Sequence, residues 1–178
     1  MENKGYKIFV KSTYYPIDSS SFLEYTVRDK NKYVISSYDL TKRNSYLSLL
    51  NSASRAGLKQ LLLTSATYTY LIEKLIQNNF KVHKVEFEGQ SSEEEFETLC
   101  ILIADLGIQK CNTEIQKKLK EIQDMILYLD EKLNSYPKKL TFYKRGNTYS
   151  LYNNGVLFIE DEEQLDLLDE LISPTIAG

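Results

Sequence analysis

The sequence is poor in the residues that most enzyme sites need. It has no tryptophan, seven glycines and a single histidine, His83, in 178 residues. One histidine cannot supply both the general acid and the general base of a histidine-dependent ribonuclease, and no glycine-rich phosphate loop is present. The two cysteines, Cys100 and Cys111, match neither a metal-ligand nor a disulfide spacing. We therefore expect no metal and no cofactor, and idle thiols in a reducing compartment.

Long apolar runs are also missing. No stretch has the length of uninterrupted apolar residues that a membrane span needs, and the start MENKGYK lacks the apolar core of a signal peptide. These absences predict a cytoplasmic protein without a membrane partner.

Charge is distributed unevenly along the chain. Residues 1–89 contain 13 Lys/Arg and 8 Asp/Glu, a balance of +5, whereas residues 90–178 contain 9 and 17, a balance of −8. The first half is suited to an acidic partner such as RNA, and the second half to a basic protein surface. Scatter of ordinary surface charge explains the same numbers, because neither half has a dense block of Lys/Arg.

Hydrophobic periodicity predicts the order β-β-β-α-β-α-β for residues 1–89. Strands two and three form a hairpin, and strands four and five alternate with helices. The pattern predicts an α/β (α+β) fold with a mixed five-stranded sheet, antiparallel at its start and parallel in its continuation, with helices on both faces. The predicted strands are Tyr6–Ser12, Phe22–Asp29, Tyr33–Asp39, Leu58–Thr64 and KVHKVEFEG.

Two further segments follow this core. Residues 90–137 predict a helical hairpin, and residues 138–178 predict a small C-terminal ββα annex. In the second helix of the hairpin, apolar residues at alternating spacings of four and three form a coiled-coil type of seam. Packing within the chain and a homodimer through the 113–134 helix both account for this seam. Its members are Ile115, Leu119, Ile122, Ile126, Leu129 and Leu133.

Three stretches of residues 1–89 resemble the ribonuclease H-like fold. IFVKST is similar to the first strand of that family, TKRNSYLSLL to the entry of its first helix, and LLLTSATY to its fourth strand and the turn that follows. The resemblance implies a two-metal nuclease in which acidic side chains hold paired magnesium ions.

The acidic residues that this resemblance implies are replaced. Their positions match Lys11, Tyr46 and Ser65. An ammonium group repels the cation, and neutral hydroxyls do not supply the charge that dehydrates Mg²⁺. We therefore expect a degenerate nuclease core, while a displaced carboxylate site elsewhere remains an alternative.

The sequence contains 14 tyrosines, and several accompany cations in its first half. Aromatic rings beside cations can stack on unpaired bases while the cations contact phosphates. The same composition suits a protein–protein interface. The residues predicted to bind nucleic acid or a partner are Lys11, Tyr14, Tyr15, Tyr25, Arg28 and Tyr68.

These observations predict an RNA-binding or ribonucleoprotein-binding inhibitor of a host nucleic-acid-guided system, with a guide-RNA effector as one conceivable partner. Small chains rich in Lys, Asn and Tyr resemble, in style only, the anti-CRISPR proteins of phages and mobile elements. One alternative is a partner-dependent ribonuclease that truncates a guide RNA. Another is a structural or dimerising interaction module.

Overall fold

The structure is a computed structural model that describes residues 4–12, 22–89, 93–107, 111–160, 162–168 and 171–172. Within these ranges the chain forms eight strands and four α-helices, which confirms the α+β class. The strands are β1 (Lys4–Lys11), β2 (Thr26–Asp29), β3 (Tyr33–Asp39), β4 (Leu58–Gln60), β5 (Lys81–Glu88), β6 (Tyr136–Lys144), β7 (Asn147–Tyr152) and β8 (Val156–Ile159). The helices are α1 (Ser45–Arg55), α2 (Ser65–Gln77), α3 (Glu93–Leu106) and α4 (Asn112–Leu133). None of the helices in the described ranges is both long enough and apolar enough to cross a membrane.

The chain divides into two compact units. Unit 1 combines Met1–Leu62 with Asn154–Gly178, and unit 2 is the continuous segment Leu63–Asn153. This division differs from the predicted segments 1–89, 90–137 and 138–178. It differs because β8 pairs with β1, which places the end of the chain in unit 1, and because β5 pairs with β6.

Unit 1 is built around β1. This strand pairs with β3, β4 and β8, and each of these pairings is antiparallel. The predicted β2–β3 hairpin and the antiparallel start of the sheet are confirmed. The predicted parallel continuation is wrong, because β4 runs antiparallel to β1 and β5 runs antiparallel to β6. A turn at Gly57, with φ of +76°, connects α1 to the three-residue strand β4.

The two faces of the unit 1 sheet are covered differently. On one face, Leu49 and Ala53 of α1 are spaced four apart and pack into a cluster with Phe9 and Phe22, whose rings meet edge to face at 5.6 Å. Beyond β8 the predicted closing helix is a 3-10 helix, Glu162–Leu168, and Glu162 accepts a hydrogen bond from the Tyr6 hydroxyl. Four apolar residues of the chain after β8 are buried: Leu165, Leu168, Leu171 and Ile172.

A lysine is buried in the sheet of unit 1. Lys7 lies in the middle of β1 and its side chain is fully buried, with its ammonium group donating a hydrogen bond to the Asn154 carbonyl. Burial favours the uncharged amine and lowers the pKa of Lys7 to about 8. Unit 1 therefore contains a side chain whose charge is costly at neutral pH.

Unit 2 is a three-stranded antiparallel sheet of β5, β6 and β7 with helices on one face. Helices α2 and α4 contact this sheet, and α3 packs against α4 as the predicted helical hairpin. The heptad seam of α4 is largely buried within the unit, through Leu119, Ile122, Ile126 and Leu129. A homodimer through this seam would have to uncover these four side chains.

We predict that the α4 seam contributes to the stability of unit 2. Ile126→Ala should lower the free energy of unfolding by about 2–5 kcal/mol, because it leaves a cavity among fully buried side chains. The matched control is Tyr128→Ala on the same helix, whose side chain is 45% exposed and whose loss should cost far less. Urea denaturation followed by circular dichroism compares the two variants. Equal losses would contradict the placement of the seam.

We predict that Lys7 makes stability depend on alkaline pH. The unfolded lysine titrates near 10.5 and the folded one near 8, so between these values only the unfolded chain holds the proton. The free energy of unfolding should therefore rise from pH 8 to 10.5, by an amount on the order of 3 kcal/mol from this residue. Lys7→Met should remove this part of the pH dependence. Parallel pH profiles of the two proteins would contradict the assignment.

Candidate nucleic-acid interface

The three positions that match the lost acids of the ribonuclease H-like fold do not form a common site in unit 1. Tyr46 packs its ring against Tyr38, at 5.0 Å between centroids, and Tyr38 is the register partner of Gly5. Lys11 lies six residues further along β1, about 20 Å away at the rise of an extended strand. Ser65 belongs to unit 2, where it begins α2 as a buried residue. Each of the three side chains therefore has its own neighbours.

The cations predicted to contact phosphates are paired with carboxylates. Lys11 forms an ion pair with Asp29 of β2. Arg28 donates from Nε to the Asp166 carboxylate at 3.1 Å. Both positive charges are therefore engaged by acids of unit 1.

The tyrosines predicted to bind nucleic acid or a partner differ in their surroundings. Tyr68 is fully buried, and its hydroxyl donates a long hydrogen bond of 3.4 Å to the Leu151 carbonyl. Burial also raises the pKa of the Tyr68 phenol, so it stays protonated. The prediction that Tyr68 stacks on a base is therefore wrong, since its ring has no accessible face. Tyr25 is half-buried beside Phe22, while Tyr14 and Tyr15 lie outside the described residues.

The structure instead brings aromatic and basic side chains together on the sheet of unit 2. Alternate residues of a strand point to opposite faces. Leu140 and Phe142 of β6 are buried on one face, and Lys139, Thr141 and Tyr143 alternate with them on the other. On that second face Lys139 and Tyr143 are partly exposed, whereas Thr141 is buried. We call this second face the open face. Its members are Lys81, His83, Lys84 and Glu86 of β5, Lys139, Thr141 and Tyr143 of β6, and Thr148, Ser150 and Tyr152 of β7.

An irregularity in β5 creates the basic part of the open face. Val82 pairs with Phe142 and Lys84 pairs with Thr141, so His83 is an extra residue at a β-bulge. Without the bulge, strand alternation would point Lys84 to the same side as Val82. With it, both Lys84 and Lys81 extend on the open face, and both are exposed.

Aromatic rings and cations alternate across the three strands. The His83 and Tyr143 rings lie edge to face at 5.3 Å, which links β5 to β6. The Lys139 ammonium lies 5.7 Å from the centroid of the Tyr152 ring, which links β6 to β7.

The carboxylate of Glu86 offsets part of the positive charge of the open face. Glu86 accepts a hydrogen bond from the Lys139 ammonium at 3.2 Å and lies 3.8 Å from that of Lys84. Glu88, two residues further along β5, lies on the same side and forms an ion pair with Lys138 at 3.5 Å. Lys81, Lys84 and Lys139 still give the centre of the face more positive than negative charge. It is therefore basic and aromatic together.

Sequence reasoning missed this face although its signal is present in the sequence. In KKLTFYKR the apolar Leu140 and Phe142 alternate with Lys139, Thr141 and Tyr143, which is the pattern of a strand with one exposed face. His83 lies in the predicted strand KVHKVEFEG, whose local pattern does not show which residues His83 contacts. Its exposure and its contact with Tyr143 follow from a pairing sixty positions along the chain.

The chain matches no known family model, no curated protein and no solved structure. Among the residues that the structure describes, no group of three or more His, Cys, Asp or Glu side chains could hold a metal ion. The interpretation of the open face therefore depends on its own geometry.

Proposed function

We propose that the protein binds RNA or a ribonucleoprotein and holds an unpaired RNA segment on the open face of unit 2. The observation that carries this proposal is the occurrence of Tyr143, His83 and three lysines on one face of a sheet whose other face packs on helices. Flat rings stack on any exposed base, and lysines follow the phosphates of the same strand. Neither group alone would suffice for such binding.

The geometry favours single-stranded over double-stranded RNA. In a duplex the bases stack on one another and present only their edges, so they offer no face to Tyr143. An unpaired strand exposes those faces. Lys81 and Lys84, both exposed on the strand next to Tyr143, are placed to contact its phosphates.

The biological role that we propose is inhibition of a host nucleic-acid-guided system. A protein that occupies an unpaired part of a guide RNA, or the ribonucleoprotein that contains it, prevents that RNA from pairing with its target. Such a partner would place the protein in the cytoplasm. Truncation of the bound RNA is the alternative. Gel electrophoresis of labelled RNA after incubation with the protein, with and without EDTA, distinguishes the two by showing the RNA intact or cut.

We predict that Tyr143→Ala weakens binding of a short unstructured RNA by about 1–3 kcal/mol, the usual contribution of one stacked base. Fluorescence anisotropy with labelled oligouridylate measures this loss. Tyr128→Ala removes an exposed tyrosine from α4 of the same unit and should leave affinity unchanged. Annealing the RNA to oligoadenylate should abolish the difference between the proteins. Equal affinities of wild type and Tyr143→Ala for the single strand would exclude the open face.

We predict that Lys84→Gln reduces the salt dependence of binding. Each phosphate neutralised on a single strand contributes about −0.7 to the slope of log affinity against log salt concentration, so the slope should become shallower by roughly this amount. Lys120→Gln on α4 changes the net charge by the same amount and is the control. If both variants shift the slope equally, the effect reflects overall charge and not a contact on the open face.

A further inference from the structure

A second candidate site lies in unit 1, where β3 leads into α1. A cavity of about 500 Å³ opens there, a size typical of small-molecule pockets. We call it the tyrosine pocket. Its main lining residues are Lys4, Tyr25, Tyr38, Asp39, Lys42 and Ser45.

We propose that the tyrosine pocket binds a nucleoside phosphate, either a free nucleotide or the terminal nucleotide of an RNA. Two aromatic rings, two lysines and a carboxylate lie around one cavity. The rings can stack on a base, the lysines can bind a phosphate, and the carboxylate can accept hydrogen bonds from a ribose. The inference does not depend on RNA binding by the open face, because different residues form the two sites.

Tyr38 supplies a wall that is held in place from two sides. Behind it, the Tyr46 ring packs at 5.0 Å between centroids with a tilt of 53°. Below it lies Gly5 of β1, and a Cβ atom at that position would come within 2.4 Å of the Tyr38 Cζ atom. The ring can lie across β1 only because residue 5 has no side chain. Tyr25 adds a second ring, supported by Phe22 at 5.8 Å.

Polar groups of the pocket complement the rest of a nucleotide. The Asp39 carboxylate accepts hydrogen bonds from the Thr41 backbone N–H and hydroxyl at 2.9 and 2.6 Å, which fix its orientation. These hydrogen bonds lower the pKa of Asp39, so it stays an acceptor suited to ribose hydroxyls. The Lys42 ammonium lies 3.3 Å from the other carboxylate oxygen and its side chain is 77% exposed, so it can move to a phosphate.

The start of α1 adds to the attraction for an anion. The Asn44 side chain makes no capping hydrogen bond to α1, and the first turn of α1 contains no acidic residue. The Ser45 N–H donates to the Lys42 carbonyl at 3.0 Å, and the other N–H groups of the first turn have a partial positive charge that the Asn44 side chain does not neutralise. Together with Lys4 and Lys42 they favour a phosphate at the mouth of the pocket.

Calorimetric titration of the full-length protein with AMP, adenosine and inorganic phosphate tests the proposal. AMP should bind more tightly than either of its parts. Gly5→Ala should weaken AMP binding about fivefold or more, because the added methyl group displaces the Tyr38 ring from the base. Lys42→Ala should weaken AMP binding and leave adenosine binding unchanged. Tyr128→Ala, on α4 and outside both proposed sites, is the control and should bind AMP like the wild type.

The results separate the possibilities. Thermal unfolding of each variant establishes that it is folded, and the highly exposed Lys42 keeps the test decisive if Gly5→Ala does not fold. In the Tyr143→Ala background, a 5′-phosphorylated oligonucleotide that binds better than AMP, and loses this advantage when Lys42→Ala is added, identifies a terminal nucleotide as the ligand. An oligonucleotide that binds more weakly than AMP identifies a free nucleotide. No AMP binding at millimolar concentration, or equal AMP affinity of wild type and the folded Lys42→Ala variant, would overturn the proposal. Loss of RNA binding on the open face alone would leave it intact.

Discussion

The close approach of the Asn154–Gly155 turn to β1 is the contact on which unit 1 depends. The Ile8 amide donates to the Gly155 carbonyl at 2.9 Å, and the buried Lys7 ammonium donates to the Asn154 carbonyl. Gly155 has a φ of +77°, and a Cβ atom there would lie 2.9 Å from the Leu61 Cβ. Only glycine satisfies both the backbone angle and the space. Through this contact, β8 joins the sheet and the 3-10 helix that follows reaches Tyr6.

The local structure of the chain could be predicted from the sequence more fully than its pairings. The β2–β3 hairpin has a short polar connection, and the apolar spacing of α1 and α4 determines which side of each helix is buried. These are short-range signals. The partners of β4 and β5 depend on segments far along the chain, and nothing in LLLTS or KVHKVEFEG specifies an antiparallel neighbour. The expected parallel arrangement came from the alternation of strands and helices in the sequence, and the strand directions contradict it.

The candidate site shows the same division between local and distant information. The expectation that tyrosines beside cations would form a binding surface used adjacency along the chain, and it selected Tyr68, which is buried, and Arg28, which pairs with Asp166. The open face satisfies the same chemical requirement with residues from three strands. Two facts that create it are invisible in the sequence: the register of β5 on β6, and the bulge at His83 that turns Lys84 outward.

The division of the chain has a consequence for its synthesis. Unit 2 is one continuous segment, and its ends are tied together by the Leu63 amide, which donates to the Asn153 carbonyl at 2.7 Å. Unit 1 needs β8, which leaves the ribosome after all of unit 2. Because domains fold as they emerge from the ribosome, unit 2 can finish folding before β8 is available to pair with β1. Until then Tyr6 and Lys7 of β1 lack their partners in β8, and an unpaired strand edge of this kind is a surface on which another chain can pair.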